Sequence, residues 1–489
     1  TTGANNIALG YYALRNNTTA DGNTAVGYET LKANTTGTNN TAVGQQALTT
    51  CSTGDNNTAV GNQALYFLTT ADNNVAIGFD ALQDNTTGLE NTAVGSYALD
   101  SNTTGNYNSA IGVHALGGNT TGAHNTAVGA YTMQVNTASN NTAVGYTALY
   151  VNTTGTDNVA VGKAALLVNT TGGSNTAVGK SALAANTTAS YNTAIGDNAL
   201  GETTTGGYNT GVGHDALKEN TTGTENTAVG VYSLQKNTTA DKNTAFGYHT
   251  LNQNTTGIEN VAVGHNTLDA NTTGSNNTAL GKNALTASTT GSSNTAVGIG
   301  CLQALTTASN ATAIGCEALK RHTTGANVIG IGIHAAQYST TSWNTVAIGA
   351  NALNALTTGS RNVAIGHSAG NNLTTGGSNT AVGDSTGLGT TGSNNTSIGN
   401  YAGQNLTTGG SNTAVGSFAL DANTTASDNV AVGYEALTNN TTASGNTAVG
   451  YQSLENNTTG TQNVAVGANA LDANTTAHYN TAVGKESLT

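Results

Sequence analysis

A glycine returns every seventeen residues through almost the whole chain, at the end of a phrase such as Asn40–Gly44, which reads Asn-Thr-Ala-Val-Gly. There are 29 of these repeat glycines, and only two steps are sixteen residues long, Gly129 to Gly145 and Gly383 to Gly399. A short fixed period indicates stacked structural repeats, each of which can bury its apolar side only against its neighbours. The sequence therefore predicts an all-β protein, a parallel β-solenoid (β-roll) of about 29 coils with a 17-residue repeat.

The three residues before each repeat glycine are β-branched, small and aliphatic in turn, a period of two that predicts a short β-strand. One strand face then carries Thr/Val and Val/Ile, and the other carries alanine. Each glycine is followed by two variable residues, then by a small residue and, in 24 of 29 repeats, by leucine. We predict an interior in which stacked Val/Ile meet stacked Leu. Its representative residues are Val43, Ile77, Val94, Leu48, Leu82 and Leu99.

Alanine stands two residues before the glycine in 26 of 29 repeats, and only Gly211, Gly330 and Ser397 replace it. A limit on size rather than polarity is what a close backbone contact imposes. We therefore predict that this column touches another copy of the chain, in a trimer or a filament. In the alternative, alanine faces a thin interior and Val/Ile make the contact. The predicted contact residues are Ala42, Ala76, Ala93, Ala127 and Ala177.

Asparagine stands four residues before the glycine in 26 of 29 repeats. Stacked amides can bond from coil to coil, so we predict a structural corner ladder through Asn40, Asn57, Asn74 and Asn91. A second asparagine opens the phrase Asn-Thr-Thr, which occurs 16 times and matches the N-glycosylation motif. It is either a turn that happens to spell the motif or a row of sugar sites. The candidate sites are Asn17, Asn34, Asn85, Asn102 and Asn119.

Composition favours a structural protein over an enzyme or a nucleic-acid binder. Charged residues make up 8% of the chain and the net charge is −13, the opposite of a basic nucleic-acid surface. Three cysteines form no disulfide framework, and no apolar run is long enough to span a bilayer. The histidines and carboxylates are spread over variable positions. We therefore predict no catalytic, cofactor-binding or metal-binding residues and no cofactor.

Residues 1–489 are predicted to form a single solenoid with an irregular block at about 284–410. Leucine or another residue replaces the turn asparagine there, and in three repeats glycine replaces the leucine. The chain begins and ends within a repeat, so we expect it to be a segment of a longer or processed protein. Exposed tyrosines could bind a surface carbohydrate or receptor. They could instead simply pack on the surface, since in the sequence they are not contiguous from coil to coil. These tyrosines include Tyr11, Tyr28, Tyr146, Tyr248, Tyr434 and Tyr451.

Asn74–Gly78 and Asn362–Gly366, both Asn-Val-Ala-Ile-Gly, resemble the head repeats of trimeric autotransporter adhesins. The longer phrase Asn-Thr-Ala-Val-Gly-x-x-Ala-Leu-x-x-Asn-Thr-Thr-Gly is similar to repeats in phage tail-fibre-like proteins. The resemblance implies a left-handed parallel β-roll with three chains side by side. It also implies a core role for Val75 and Ile77 and a contact role for Ala76. The repeat of this chain is longer than the repeat of those heads.

The repeat and the resemblance together predict a structural or adhesive fibre, extracellular or on the surface of a cell or virion, that self-associates. Two alternatives remain. The turn asparagines could carry a glycan coat on a surface filament, or the threonine rows at the corner could bind ice. Ice binding requires a flat, uninterrupted face with two columns of threonine.

Overall fold

The computed structural model describes residues 2–489 as short β-strands joined by turns, in two compact units, Thr1–Asn243 and Thr244–Thr489. The first unit contains β1 (Ile7–Leu9), β2 (Thr24–Val26), β3 (Thr41–Val43), β4 (Thr58–Val60), β5 (Val75–Ile77), β6 (Thr92–Val94), β7 (Ser109–Ile111), β8 (Thr126–Val128), β9 (Val135–Asn136), β10 (Thr142–Val144), β11 (Val151–Asn152), β12 (Val159–Val161), β13 (Thr176–Val178), β14 (Thr193–Ile195), β15 (Thr210–Val212) and β16 (Thr227–Val229). The second contains β17 (Thr244–Phe246), β18 (Val261–Val263), β19 (Thr278–Leu280), β20 (Thr295–Val297), β21 (Thr312–Ile314), β22 (Val328–Ile331), β23 (Thr345–Ile348), β24 (Val363–Ile365), β25 (Thr380–Val382), β26 (Thr396–Ile398), β27 (Thr413–Val415), β28 (Val430–Val432), β29 (Thr447–Val449), β30 (Val464–Val466) and β31 (Thr481–Val483).

Within each unit the strands pair in parallel with the equivalent residues aligned, as Ala42 with Ala59 between β3 and β4. Each unit is therefore a parallel β-solenoid, and the predicted fold class is confirmed. The expectation that one solenoid runs through both units stays a prediction. The sixteen-residue step after Gly129 keeps the strand register, since Ala143 pairs with Ala127. The omitted residue thus falls in a turn, beside the small extra sheet formed by β9 and β11.

The repeat glycine is required by its backbone conformation and by its surroundings. Gly44 has a φ of 131°, in a region that side chains with a Cβ avoid. A Cβ there would also collide with the carbonyl oxygen of Gly61 in the next coil. Close stacking of coils at this bend therefore excludes every other residue type.

The orientation of the strands is opposite to the one predicted. The alanines Ala42, Ala76, Ala93, Ala127 and Ala177 are completely buried inside their own coils. Val43 is 36% exposed and Ile77 is 41% exposed, and Val94 is half-buried. The prediction that alanine contacts another chain and Val/Ile form the core was therefore wrong. The alternative in which alanine faces a thin interior is observed, and its contact through Val/Ile stays a prediction. The leucines Leu48, Leu82 and Leu99 are buried as predicted.

The size limit on the alanine column comes from the interior of the coil. At Gly211 a Cβ would lie 3.2 Å from the Cγ of Leu200, and at Gly330 it would lie 2.9 Å from the Cγ of Leu319. The gap between the strand and the core leucine of the preceding coil is therefore only as wide as one small side chain. Val or Ile at this position would overfill a space that holds a single methyl group.

The irregular block keeps the same coil and moves its leucine. Gly370 and Gly403 occupy the usual leucine position, while Leu373 and Leu406, three residues later, are buried in place of the turn asparagine. A Cβ on Gly370 would lie 2.8 Å from the Cδ1 of Leu388 in the next coil. Displaced leucines thus fill the volume that the glycines leave, which maintains packing density.

We expect the adjacent substitutions Ala76→Glu and Ile77→Glu to have very different effects. Ala76→Glu places a carboxylate in the interior and should cost several kcal/mol, because the charge finds no partner. Ile77→Glu lies on the outer face of its own coil and should change the free energy of unfolding of the single chain by less than about 1 kcal/mol, so the two variants are compared as monomers at low concentration.

Amide hydrogen exchange followed by mass spectrometry measures both effects coil by coil. Ala76→Glu should remove protection from the coils around residue 76 and leave distant coils protected, since a solenoid couples neighbours. Equal losses for the two variants would contradict the observed orientation.

Candidate interaction surface

The residues one and three positions before each repeat glycine point outward and form what we call the strand face. The column next to the glycine is Val or Ile in 26 of 29 repeats, and the other column is Thr in 19. Neither column holds a charged residue in any repeat. Many of the Val and Ile side chains are more than a third exposed, among them Val60, Ile111 and Ile195.

The geometry of this face follows from the sheet. Columns two residues apart along a strand are separated by about 7 Å, and successive coils by about 4.8 Å. Parallel in-register pairing puts the same side chains at the same place in every coil of a unit. The result is a narrow, uncharged and regularly corrugated surface, which suits another flat surface with the same repeat.

The predicted asparagine ladder is confirmed. The backbone N–H of Asn57 donates to the Oδ1 of Asn40 at 2.9 Å, and the Nδ2 of Asn57 donates to the same oxygen at 3.2 Å. The same N–H to Oδ1 bond joins Asn74 to Asn57 and Asn91 to Asn74. Each amide therefore bridges two coils, which satisfies polar groups that are fully buried.

The turn asparagines form a second buried ladder, which the sequence reading missed. The Nδ2 of Asn102 donates to the Oδ1 of Asn85 at 2.9 Å. The carbonyl oxygen of Gly88 accepts from Asn85 at 2.9 Å and from Asn74 in the first ladder at 3.0 Å. Two amides thus use both lone pairs of one carbonyl and fix the turn. The sequence did carry a signal for this ladder: the turn asparagine recurs at a fixed position of the repeat, as the asparagine of the first ladder does.

This second ladder is incompatible with the predicted glycosylation. Asn34, Asn85, Asn102 and Asn119 are completely buried, and each Nδ2 that would carry a sugar donates to a carbonyl inside the turn. Asn17 is half-buried, and its Nδ2 donates to the carbonyl of Ala20. A glycan on these nitrogens would remove the bonds that close the turn, so the glycan coat is corrected to a structural amide ladder.

The threonine rows at the corner divide into two kinds. The hydroxyl of the first threonine donates to the backbone of the next coil, as Thr86 does to the carbonyl of Thr103 at 3.0 Å. The second threonine, such as Thr36, is exposed. One of the two hydroxyl columns is therefore used inside the fold.

His322 takes the place of a turn asparagine in the irregular block. Its ring is completely buried, with Nε2 2.6 Å from the carbonyl of Gly325 and Nδ1 3.2 Å from the Oγ of Ser339. The carbonyl can only accept, so Nε2 carries the proton and Nδ1 accepts from the serine. Burial lowers the pKa of His322 below its ordinary value.

This environment predicts acid sensitivity at one place in the second unit. The unfolded histidine gains a proton below about pH 6.5, whereas the folded one resists protonation until the pH is lower. The contribution of His322 to the free energy of unfolding is therefore constant above about pH 6.5 and falls as the pH drops below this value. Amide exchange at pH 7 and pH 5, corrected for intrinsic rates, should show weaker protection near residue 322 at pH 5.

His322→Asn is the matched control, because asparagine is the residue that most other coils carry at this position. It should preserve the bond to Gly325 and abolish the local acid sensitivity. An identical pH response in this variant would show that another group is responsible.

The remaining reactive groups are dispersed. No group of three His, Cys, Asp or Glu side chains among residues 2–489 is arranged to hold a metal ion. Cys51, Cys301 and Cys316 are free thiols. Burial raises the pKa of Cys51 and of Cys301 to about 11, which leaves both as unreactive thiols at neutral pH.

Aromatic side chains are stacked from coil to coil rather than scattered. Tyr434 and Tyr451 stack with centroids 5.6 Å apart, and Tyr11 and Tyr28 with centroids 5.7 Å apart. A longer aromatic ladder runs along the surface of the first unit. It consists of Phe79, Tyr97, His114, Tyr131 and Tyr146. Its parallel members cover one another's faces and present their edges to solvent, which the sequence reading missed.

Comparison with family models and with curated proteins does not assign this chain to a family. No family model matches the chain, and no curated protein matches it. Within residues 2–489 we find no helix with the length and apolar character needed to traverse a bilayer.

Proposed function

We propose that this chain is a structural or adhesive fibre that self-associates side by side through its strand face, on the outside of a cell or on a virion. The single observation that carries the proposal is the uncharged column of partly exposed apolar residues, Val or Ile in 26 of 29 repeats. A soluble monomer rarely exposes a continuous apolar surface larger than a few hundred Å². A second and third copy, as in the adhesin heads that the repeat resembles, would cover it.

The size of the surface supports this proposal. If each Val or Ile offers roughly 60 Å², the 14 coils of the first unit present on the order of 800 Å², which is what one partner buries in a stable interface. Depletion of charge at the centre of the patch is also typical of interfaces. Since every coil offers the same contact, the affinity of many weak contacts accumulates along the fibre.

The internal bonding suits a stiff load-bearing element. Backbone bonds link each coil to both neighbours, as at Leu48 to Ala64 and Gln46 to Tyr28. The amide ladders add further bonds that run along the same direction. Bending or stretching a unit would break several of these bonds together, so the fold favours a rigid spacer or scaffold.

We expect the triple variant Val43→Lys, Val60→Lys and Val94→Lys to dissociate the assembly. Three buried, unpaired ammonium groups would oppose close contact of the strand faces. Sedimentation velocity should show a trimer for the native chain and a monomer for the variant, with an unchanged β circular dichroism spectrum.

The matched control is Gln45→Lys, Asn62→Lys and Ser96→Lys, which adds the same charge to the same coils beside the strand face. It should remain a trimer. A native chain that is monomeric at micromolar concentration would overturn the proposal. Ice binding by the exposed threonines at the corner would appear instead as thermal hysteresis of a monomer, unchanged in the first variant.

A further inference from the structure

A cleft of about 350 Å³ opens on the surface of the first unit where two consecutive glycines, Gly117 and Gly118, replace the side chains that other coils carry. The cleft lies between Asp100 in the coil before and Gln134 in the coil after. Its size falls in the range of small-molecule sites, about 300–1,000 Å³.

Two sides of the cleft, one at Gln134 and one at His114, are held by neighbouring structure. The shortened coil that follows supplies Gln134 and Val135, and Val135 belongs to β9, which pairs with β11. His114 forms the side wall, and its ring is fixed between Tyr97 at 4.8 Å and Tyr131 at 5.4 Å. The sides of the cleft formed by Gln134 and His114 are therefore held in place before a ligand binds.

The lining excludes an anion and a metal ion. The N–H of Gly118 already donates to the carbonyl of Gln134 at 2.8 Å, and that of Gly117 donates to His114 at 3.3 Å. The floor thus offers no free donors, and the Asp100 carboxylate repels negative charge. Among residues 2–489 no three metal-binding side chains meet, here or elsewhere.

The same lining favours a ligand rich in hydroxyl groups. Burial raises the pKa of Asp100 to about 6, so at neutral pH this carboxylate is ionised but poorly solvated. No cationic side chain among the described residues forms an ion pair with it. Two adjacent hydroxyls can donate to its two oxygens in charge-assisted hydrogen bonds. The amide of Gln134 can bond a third hydroxyl, and Val135 offers an apolar surface for C–H groups.

We propose that the cleft between Asp100 and Gln134 is a binding site for a neutral pyranose sugar, seated over Gly117 and Gly118. The site is independent of lateral association, because it lies outside the strand face. Its position beside the aromatic ladder gives the fibre a specific contact for surface glycans in addition to its repeated apolar one.

Saturation-transfer NMR on the full chain tests the proposal, with methyl β-D-glucopyranoside, methyl β-D-galactopyranoside and methyl α-D-mannopyranoside as separate probes. At least one pyranoside should receive saturation from the native protein. Gly117→Gln should abolish the transfer, because the new side chain fills the cleft between Asp100 and Gln134. Asp100→Asn, which keeps the shape and removes the charge, should weaken binding about tenfold.

Gly201→Gln is the matched control, since Gly201 occupies the equivalent position in another coil. It should bind the sugar as the native chain does, and the thermal midpoints of all variants should confirm folding. Absence of transfer to all three pyranosides would overturn the proposal. Equal transfer in the native chain and in Gly117→Gln would also overturn it. So would binding of the cationic probe Nα-acetyl-lysine methylamide without binding of any pyranoside, because the cleft would then be a cation site.

Discussion

The interior of each coil is one side chain deep, and the contact between a leucine and the alanine opposite it sets the rest of the design. Leu200 and Leu319 each lie so close to the next strand that only a methyl group, or no side chain at all, fits between the leucine and that strand. A strand alternates its side chains, so an inward alanine forces the larger Val and Ile outward. The apolar outer surface is therefore a consequence of a narrow core.

A core this narrow cannot be stabilised by apolar burial alone, and the asparagines complete it. Two columns of buried amides in the interior bond to one another and to the turn carbonyls. Such bonds contribute about 1 kcal/mol each, but an unmade one costs more, so the ladders fix the register of stacking. Where the second ladder stops, leucine, serine or His322 fills the same space.

The two surfaces with proposed roles differ in how they arise. Within each unit the strand face recurs in every coil, because it follows from the strand itself, and it suits a partner with the same period. The cleft at Gly117 and Gly118 occurs at a departure from the repeat, next to a shortened coil. Regular positions thus maintain the solenoid, and irregular ones are free to acquire a specific ligand.

The sequence by itself determined the solenoid, the strands, the first asparagine ladder and the buried leucines, because each depends on a period that can be counted. It did not determine which face of the strand points inward. Ala76 and Ile77 alternate equally well in either orientation, and only the space left by the leucines decides between them. The buried turn asparagines, the stacked aromatic residues and the cleft also required the tertiary structure. Each depends on which residues of different coils become neighbours, and that is set by how the chain turns between strands.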